Sequence, residues 1–237
     1  MNRSALGAAG LALTAGLSGP AVTLPAQQRP NIVIIVADDM GYADIGVHGS
    51  RDIPTPHIDS LALTGIRFTD GYVSGPYCSP TRAGLLTGRY PQRFGHEFNV
   101  PGPTNMEAGL PLDQTTLADR LRAAGYRTAL FGKWHLGWAP AFHPLQRGFD
   151  EFFGFLGGAH HYLVSSPSGG PPVLDGTTPA AEIGYLTDTI AARAADFIRR
   201  HRDRPFFLYL AFNAVHTPMH ATRKYLDRFA RITDPRR

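Results

Sequence analysis

Five consecutive β-branched residues, Ile32-Val33-Ile34-Ile35-Val36, stand between Asn31 and Ala37. Such a run, without polar alternation, predicts a strand covered on both faces of a parallel sheet. Asp38 and Asp39 then fall at its carboxyl end, where open α/β sheets gather ligands. A helix is predicted over about Pro56 to Thr64, closed by Gly65 in the left-handed conformation, with an extended segment from Ile66 to Val73. Thr116 caps a further helix with Leu117, Leu121 and Ala124 at helical spacing, and Gly125 ends it. Arg127 to Phe131 reads as the next strand, with Lys133 and His135 just past its end on one side of an extended backbone. Thr187 or Asp188 begins a helix with Ile190, Ala194, Phe197 and Ile198 on its apolar face. Phe206 to Phe212 is one more buried strand, and His216 lies beyond it. The Gly/Pro-rich stretches 99–111 and 165–179 are long enough to line a site or to move. Alternating strands and helices predict an α/β fold with a mostly parallel central sheet flanked by helices.

Composition narrows the class. The chain has 237 residues, 43% of them hydrophobic, enough for a substantial core in one large domain. The net charge of +4 comes from arginine rather than lysine. The basic residues are scattered apart from short clusters such as Arg199-Arg200-His201-Arg202, which reads as a solvated helix end, and with no nucleic-acid motif present a nucleic-acid partner is not expected. Residues 1–26 read as an export signal: Arg3 precedes the uncharged stretch Ala5 to Leu17, too short and weak for a stable membrane span. The expected mature part is residues 27–237, in the periplasm or outside the cell.

Cys78 is the single cysteine and sits in Cys78-Ser79-Pro80-Thr81-Arg82. Proline suits the first position of a helix, which places Cys78 just before a helix N-terminus. Free amides there stabilise anions, and Arg82 adds a fixed cation one turn on. The arrangement predicts a place for an oxyanion at residue 78. Asp38 and Asp39 are adjacent hard oxygen donors that suit Ca²⁺ or Mg²⁺.

Cys78-Ser79-Pro80-Thr81-Arg82 followed by Leu86-Thr87-Gly88 resembles the signature of the formylglycine-dependent, arylsulfatase-like sulfatases at every fixed position. The run Gly125 to Gly137, containing Gly132-Lys133-Trp134-His135-Leu136-Gly137, resembles their second signature. Thr55-Pro56-His57-Ile58-Asp59, Gly148-Phe149-Asp150 and His216-Thr217-Pro218 also look like family landmarks. The resemblance covers about residues 30 to 220 and implies an alkaline-phosphatase-like fold hydrolysing sulfate monoesters. It implies that Cys78 is converted by a formylglycine-generating enzyme to an aldehyde, whose hydrate is the nucleophile. It further implies Asp38, Asp39 and residue 78 as ligands of Ca²⁺ or Mg²⁺, Arg82 and His135 as partners of the formylglycine, and Lys133 with His216 as a sulfate-binding pair. The implied substrate is a sulfated small molecule or carbohydrate. His160 and His161 match no family position well and receive no role.

The family also closes its metal site with a downstream Asp-Asn pair and follows it with a lysine. No Asp-Asn dipeptide occurs in this sequence, and 21 residues follow His216. The chain therefore reads as the N-terminal part of such a catalytic domain, with weak activity expected of it alone. Two alternatives stay open: a phosphoester or phosphonate monoester hydrolase on the same fold, and a non-catalytic remnant that binds anionic ligands.

Overall fold

The computed structural model describes residues 29–233. The expected leader, residues 1–26, lies outside them. No helix among the described residues is long and apolar enough to cross a membrane.

A six-stranded sheet carries the fold, in the order β1-β6-β2-β3-β4-β5. Strands β1 (Ile32–Val36), β6 (Phe206–Ala211), β2 (Arg127–Lys133) and β3 (Glu151–Phe155) pair in parallel. Two short strands, β4 (Leu174–Asp175) and β5 (Thr178–Pro179), add an antiparallel margin. Helices cover both faces. On one, α2 (Cys78–Thr87) and α3 (Leu117–Ala123) supply Ala83, Leu86 and Ala118 to a core with Leu130, Trp134, Phe149, Phe207 and Tyr209. On the other, α4 (Leu186–Arg200) sets Leu186, Ile190, Ala194 and Phe197 against Phe131, Phe153, Phe206 and Leu208. β6, in the middle, is buried at every position. The mixed, mostly parallel sheet flanked by helices is the predicted α/β architecture.

Several expectations need correction. β1 is an edge strand rather than one covered on both faces: Ile32, Ile34 and Val36 are half-buried, whereas Val33 and Ile35 are 43% and 57% exposed. A β-branched run reports the tendency to extend but not how many faces are covered. Helix α1 (Pro56–Thr64) forms as expected, yet Gly65 is extended, not left-handed. The segment 66–73 forms no strand; Ile66, Phe68 and Tyr72 are 82%, 78% and 89% exposed, and no neighbouring strand pairs with it. α4 begins at Leu186, ahead of Thr187 and Asp188, and Ile198 is partly exposed. Thr116 caps α3 in a full capping box with Asp119, as its sequence predicts, and Gly125 follows with φ 87°. Strand β3 lies in a stretch with no predicted element, because Phe-Phe-Gly-Phe carries a glycine that a strand normally avoids.

Candidate active site

The carboxyl ends of β1, β2 and β6 converge on the N-terminus of α2. Asp38 follows β1, and its backbone N–H donates to Ala214 O (2.9 Å) while its carbonyl accepts from Val215 (2.9 Å). Those two bonds bring the His216 segment to the double aspartate. Lys133 is the last residue of β2 rather than a residue beyond it, and Gly132 before it is required by close approach: a Cβ there would stand 1.8 Å from Ala211 O. Cys78 is the first residue of α2, not the residue before it, and Pro80 is the third, a position where the missing N–H is an orphan in any case.

Asp38, Asp39, Cys78, Arg82 and His216 line one cleft of about 610 Å³, together with Thr81 and Asn99. One donor atom from each of Asp38, Asp39 and Cys78 lies within 4.8 Å of the others. Behind this surface sits a buried charge cluster: Lys133 Nζ donates to Asp38 Oδ2 at 2.6 Å and Arg82 donates to Asp38 Oδ1 at 3.2 Å. Arg82 also reaches Lys133 O (3.0 Å) and Tyr209 Oη (3.4 Å). Lys133 has no exposure at all. Two cations on Asp38 leave one positive charge under the cleft floor, which the Asp39 carboxylate at the cleft surface balances. Asp39, exposed and at φ 57°, faces His216 Nε2 at 3.5 Å, while His216 Nδ1 lies 2.6 Å from Thr217 O. Tyr162 Oη donates to the carbonyls of Asn213 (2.9 Å) and His216 (2.8 Å), steadying that segment. Burial, with smaller contributions from Tyr185 and Asp38, pushes its phenol up to about 12.

His135 is tied to the same centre from its backbone. Ser79 Oγ donates to His135 O (2.6 Å) and lies 2.7 Å from His96 Nε2. The His135 backbone has φ 59°, so Lys-Trp-His is not an extended alternation. Its ring packs against Gly158, where a Cβ would come within 2.6 Å of it. Burial above all, then the charges of Lys133 and Arg82, lowers the His135 imidazole to about 3, and its buried Nδ1 has no hydrogen-bond partner among the described residues. The ring is therefore neutral at ordinary pH and a weak base in this arrangement.

The helix N-terminus differs from expectation. The Ser79 amide donates to Asn99 Oδ1 (3.0 Å), Pro80 has no N–H, and the Thr81 amide bonds Tyr77 O (3.2 Å). Among the first four residues only Cys78 keeps a free amide, so side-chain cations rather than helix amides supply the positive charge. Two other sequence landmarks are architectural. Thr55 and Asp59 take the amides of Gly46 and Val47 at 2.7 Å each. Asp150 Oδ2 accepts from the amide and hydroxyl of Thr128. Residues that the sequence does not single out are His96, Tyr162 and Tyr209; Ser79 lies inside the motif, and Asn99 opens the stretch 99–111 that is expected to line a site or to move.

A family model described as Sulfatase matches residues 30–237. Mouse N-acetylgalactosamine-6-sulfatase is 38% identical over 221 residues, 85% of this chain and 42% of the relative. Human arylsulfatase A is 39% identical over 251 residues, 93% of this chain and 46% of the relative. Among solved structures, Ps i-CgsB in complex with k-i-k-neocarrahexaose superposes with a TM-score of 0.83 at 41% identity, covering 88% of this chain and 50% of that one. A second, in complex with its substrate D-glucosamine-2-N,6-O-disulfate, gives 0.66 at 29% identity, with coverage of 88% and 39%. The chain thus spans less than half the length of these curated relatives.

Proposed function

This chain belongs to the sulfatase family, and we propose that it carries the nucleophile-bearing part of a sulfuric ester hydrolase acting on a sulfated carbohydrate or small molecule. The observation that carries the reading is the meeting of Asp38, Asp39, Cys78, Arg82 and His216 in one cleft over the buried Asp38–Lys133–Arg82 cluster. Cys78 Sγ stands where the formylglycine oxygen would lie after conversion of the thiol by a formylglycine-generating enzyme. Asp38, Asp39 and residue 78 fit a hard divalent cation, Ca²⁺ or the smaller Mg²⁺, as part of a six- to eight-oxygen shell. When bound, such an ion lowers the pKa of a coordinated hydroxyl. Arg82 fixes the Asp38 carboxylate and the end of β2, and with Lys133 keeps the floor positive for the sulfuryl oxygens. His216 lies at the cleft surface beside Asp39, and its role in this reading is to bind the sulfuryl group near the leaving-group oxygen. His135, neutral and enclosed, orients the α2 turn through Ser79. An export leader at residues 1–26 and a periplasmic or secreted location complete the proposal.

The test begins with residue 78. Co-expression with a formylglycine-generating enzyme should convert Cys78 to the aldehyde, read by peptide mass spectrometry; persistence of the thiol, with a known substrate of that enzyme converted alongside, removes the mechanism. In a form extended to the full length of its relatives, the converted protein should then bind Ca²⁺ and turn over an aryl sulfate in preference to an aryl phosphate, whereas this chain alone should do both weakly. Faster phosphate turnover would favour phosphoester hydrolysis instead.

A further inference from the structure

Asn99 lines the cleft with Cys78, Asp39 and His216, and neither signature contains it. Its Oδ1 accepts the Ser79 amide at 3.0 Å. A backbone N–H is only a donor, so this bond fixes which way the carboxamide faces. The oxygen is turned to the helix, and the NH₂ group, with two donors, is turned away from it. Among the described residues that NH₂ has no acceptor.

Asn99 is itself exposed, and the chain just after it is braced: Val100 is buried, and Trp138 Nε1 donates to Pro101 O at 2.7 Å. The helix side is braced as well, since Ser79 Oγ bonds both His135 O and His96. A donor fixed before any ligand arrives costs no reorganisation when the ligand binds. It stands beside residue 78, where the helix amides themselves are almost all taken.

We propose that Asn99 is a substrate-binding residue of this cleft: its Oδ1 caps the nucleophile helix, and its Nδ2 donates to a sulfuryl oxygen of the bound ester. The assignment rests on the sulfate-ester reading above and adds a neutral donor to the cations already described. It replaces the amides that Asn99 and Pro80 withdraw from the helix N-terminus.

Cap and donor can be separated. Asn99→Asp retains, at the same side-chain length, an acceptor for Ser79 N–H but replaces the donor with a carboxylate, and Asn99→Ser, one bond shorter, removes the amide. The readout is alkylation of Cys78, the single thiol, by iodoacetamide in the unconverted chain, with inorganic sulfate as the probe and sodium chloride at matched ionic strength as control. Sulfate should protect Cys78 in the wild type. The midpoint for protection should rise roughly tenfold or more in Asn99→Asp and severalfold in Asn99→Ser, as expected for loss of a hydrogen bond to a charged group, with thermal melting of Asn99→Asp unchanged. Equal midpoints in all three proteins would reduce Asn99 to a helix cap and overturn the proposal. Shifted midpoints accompanied by melting of Asn99→Asp well below the wild type would overturn it too, since lost structure would then explain them. Absence of protection in the wild type would sink the sulfate reading of the cleft itself, and the assignment with it.

Discussion

Two carboxylates in this molecule gather cations at opposite ends of the same strands. At the carboxyl end, Asp38 holds Lys133 and Arg82; at the amino end, Glu151 at the start of β3 holds Arg127 (3.1 Å), Arg200 (2.8 Å) and His201 (3.3 Å). The ingredients are alike. The Glu151 cluster is closed on itself: Arg127 and Arg200 are shared with Asp150 and Asp196, and the group stands half in water. The Asp38 cluster is buried, and its free side opens on a second carboxylate, a thiol and an unpartnered amide. Charge pairing alone therefore says little about function. What distinguishes a site is charge kept out of water yet left with something to bind.

Substitutions should separate the two clusters. The largest effect is expected for Lys133→Ala: in a formylglycine-bearing form extended to the full length of its relatives, aryl sulfate turnover should fall roughly a hundred- to thousandfold, the loss expected for one preorganised charge-stabilising group. The same change should cost about 3–5 kcal/mol in chemical denaturation, because a wholly buried pair is broken. Turnover within threefold of wild type would make the buried cluster merely structural. Next, Asp39→Asn should weaken Ca²⁺ binding about tenfold or more, measured by titration calorimetry, whereas Glu151→Gln should leave it unchanged. Equal effects would erase the distinction.

Acid should then act on both clusters in different windows. His135 is lowered to about 3 in the folded protein from an ordinary value of 6.5. The unfolded chain thus takes up the proton first, and stability should decline as pH falls from 6.5 towards 3. Glu151 is held at about 2 by its hydrogen bonds to Arg200, Arg127 and His201, against the desolvation that opposes them. Its contribution is full above 4.5 and is lost as pH falls through 2. Denaturation midpoints across this range should show His135→Gln flattening the upper window only. The smallest effect is Glu151→Gln at neutral pH, about 1 kcal/mol or less for a partly exposed network, with turnover unchanged.

The layered fold was legible because strand and helix periods alternate strongly: the apolar face Leu186-Ile190-Ala194-Phe197 and the run Phe206 to Ala211 have the burial their patterns suggest. The cluster of Asp38, Cys78, Lys133 and His216 was legible only through spacing motifs, since nothing in a lone aspartate or lysine says that 95 residues separate two hydrogen-bonded partners. For Asn99 the sequence offered only the long Gly/Pro-rich stretch 99–111 as a candidate site lining, because which of its residues meets the cleft depends on how the loop folds back over α2. The left-handed Asp39 and His135 were equally hidden; non-glycine residues adopt that conformation only where tertiary contacts hold them. Coverage of β1 misled because a run of isoleucine and valine is the same on an edge as in the middle of a sheet.

That edge has a practical consequence. Among the described residues β1 presents one unpaired rail of backbone amides and carbonyls, with Val33 and Ile35 open beside it and Leu61, Leu63, Ile66 and Phe68 exposed from α1 and the segment after it. An uncovered apolar strand edge is a template for further strands. Produced as this 237-residue chain, the protein should recruit its own copies and molecular chaperones, bind hydrophobic dyes while still folded, and lose monomer as concentration rises. Those traits would set its handling and its lifetime in a cell well before its chemistry did.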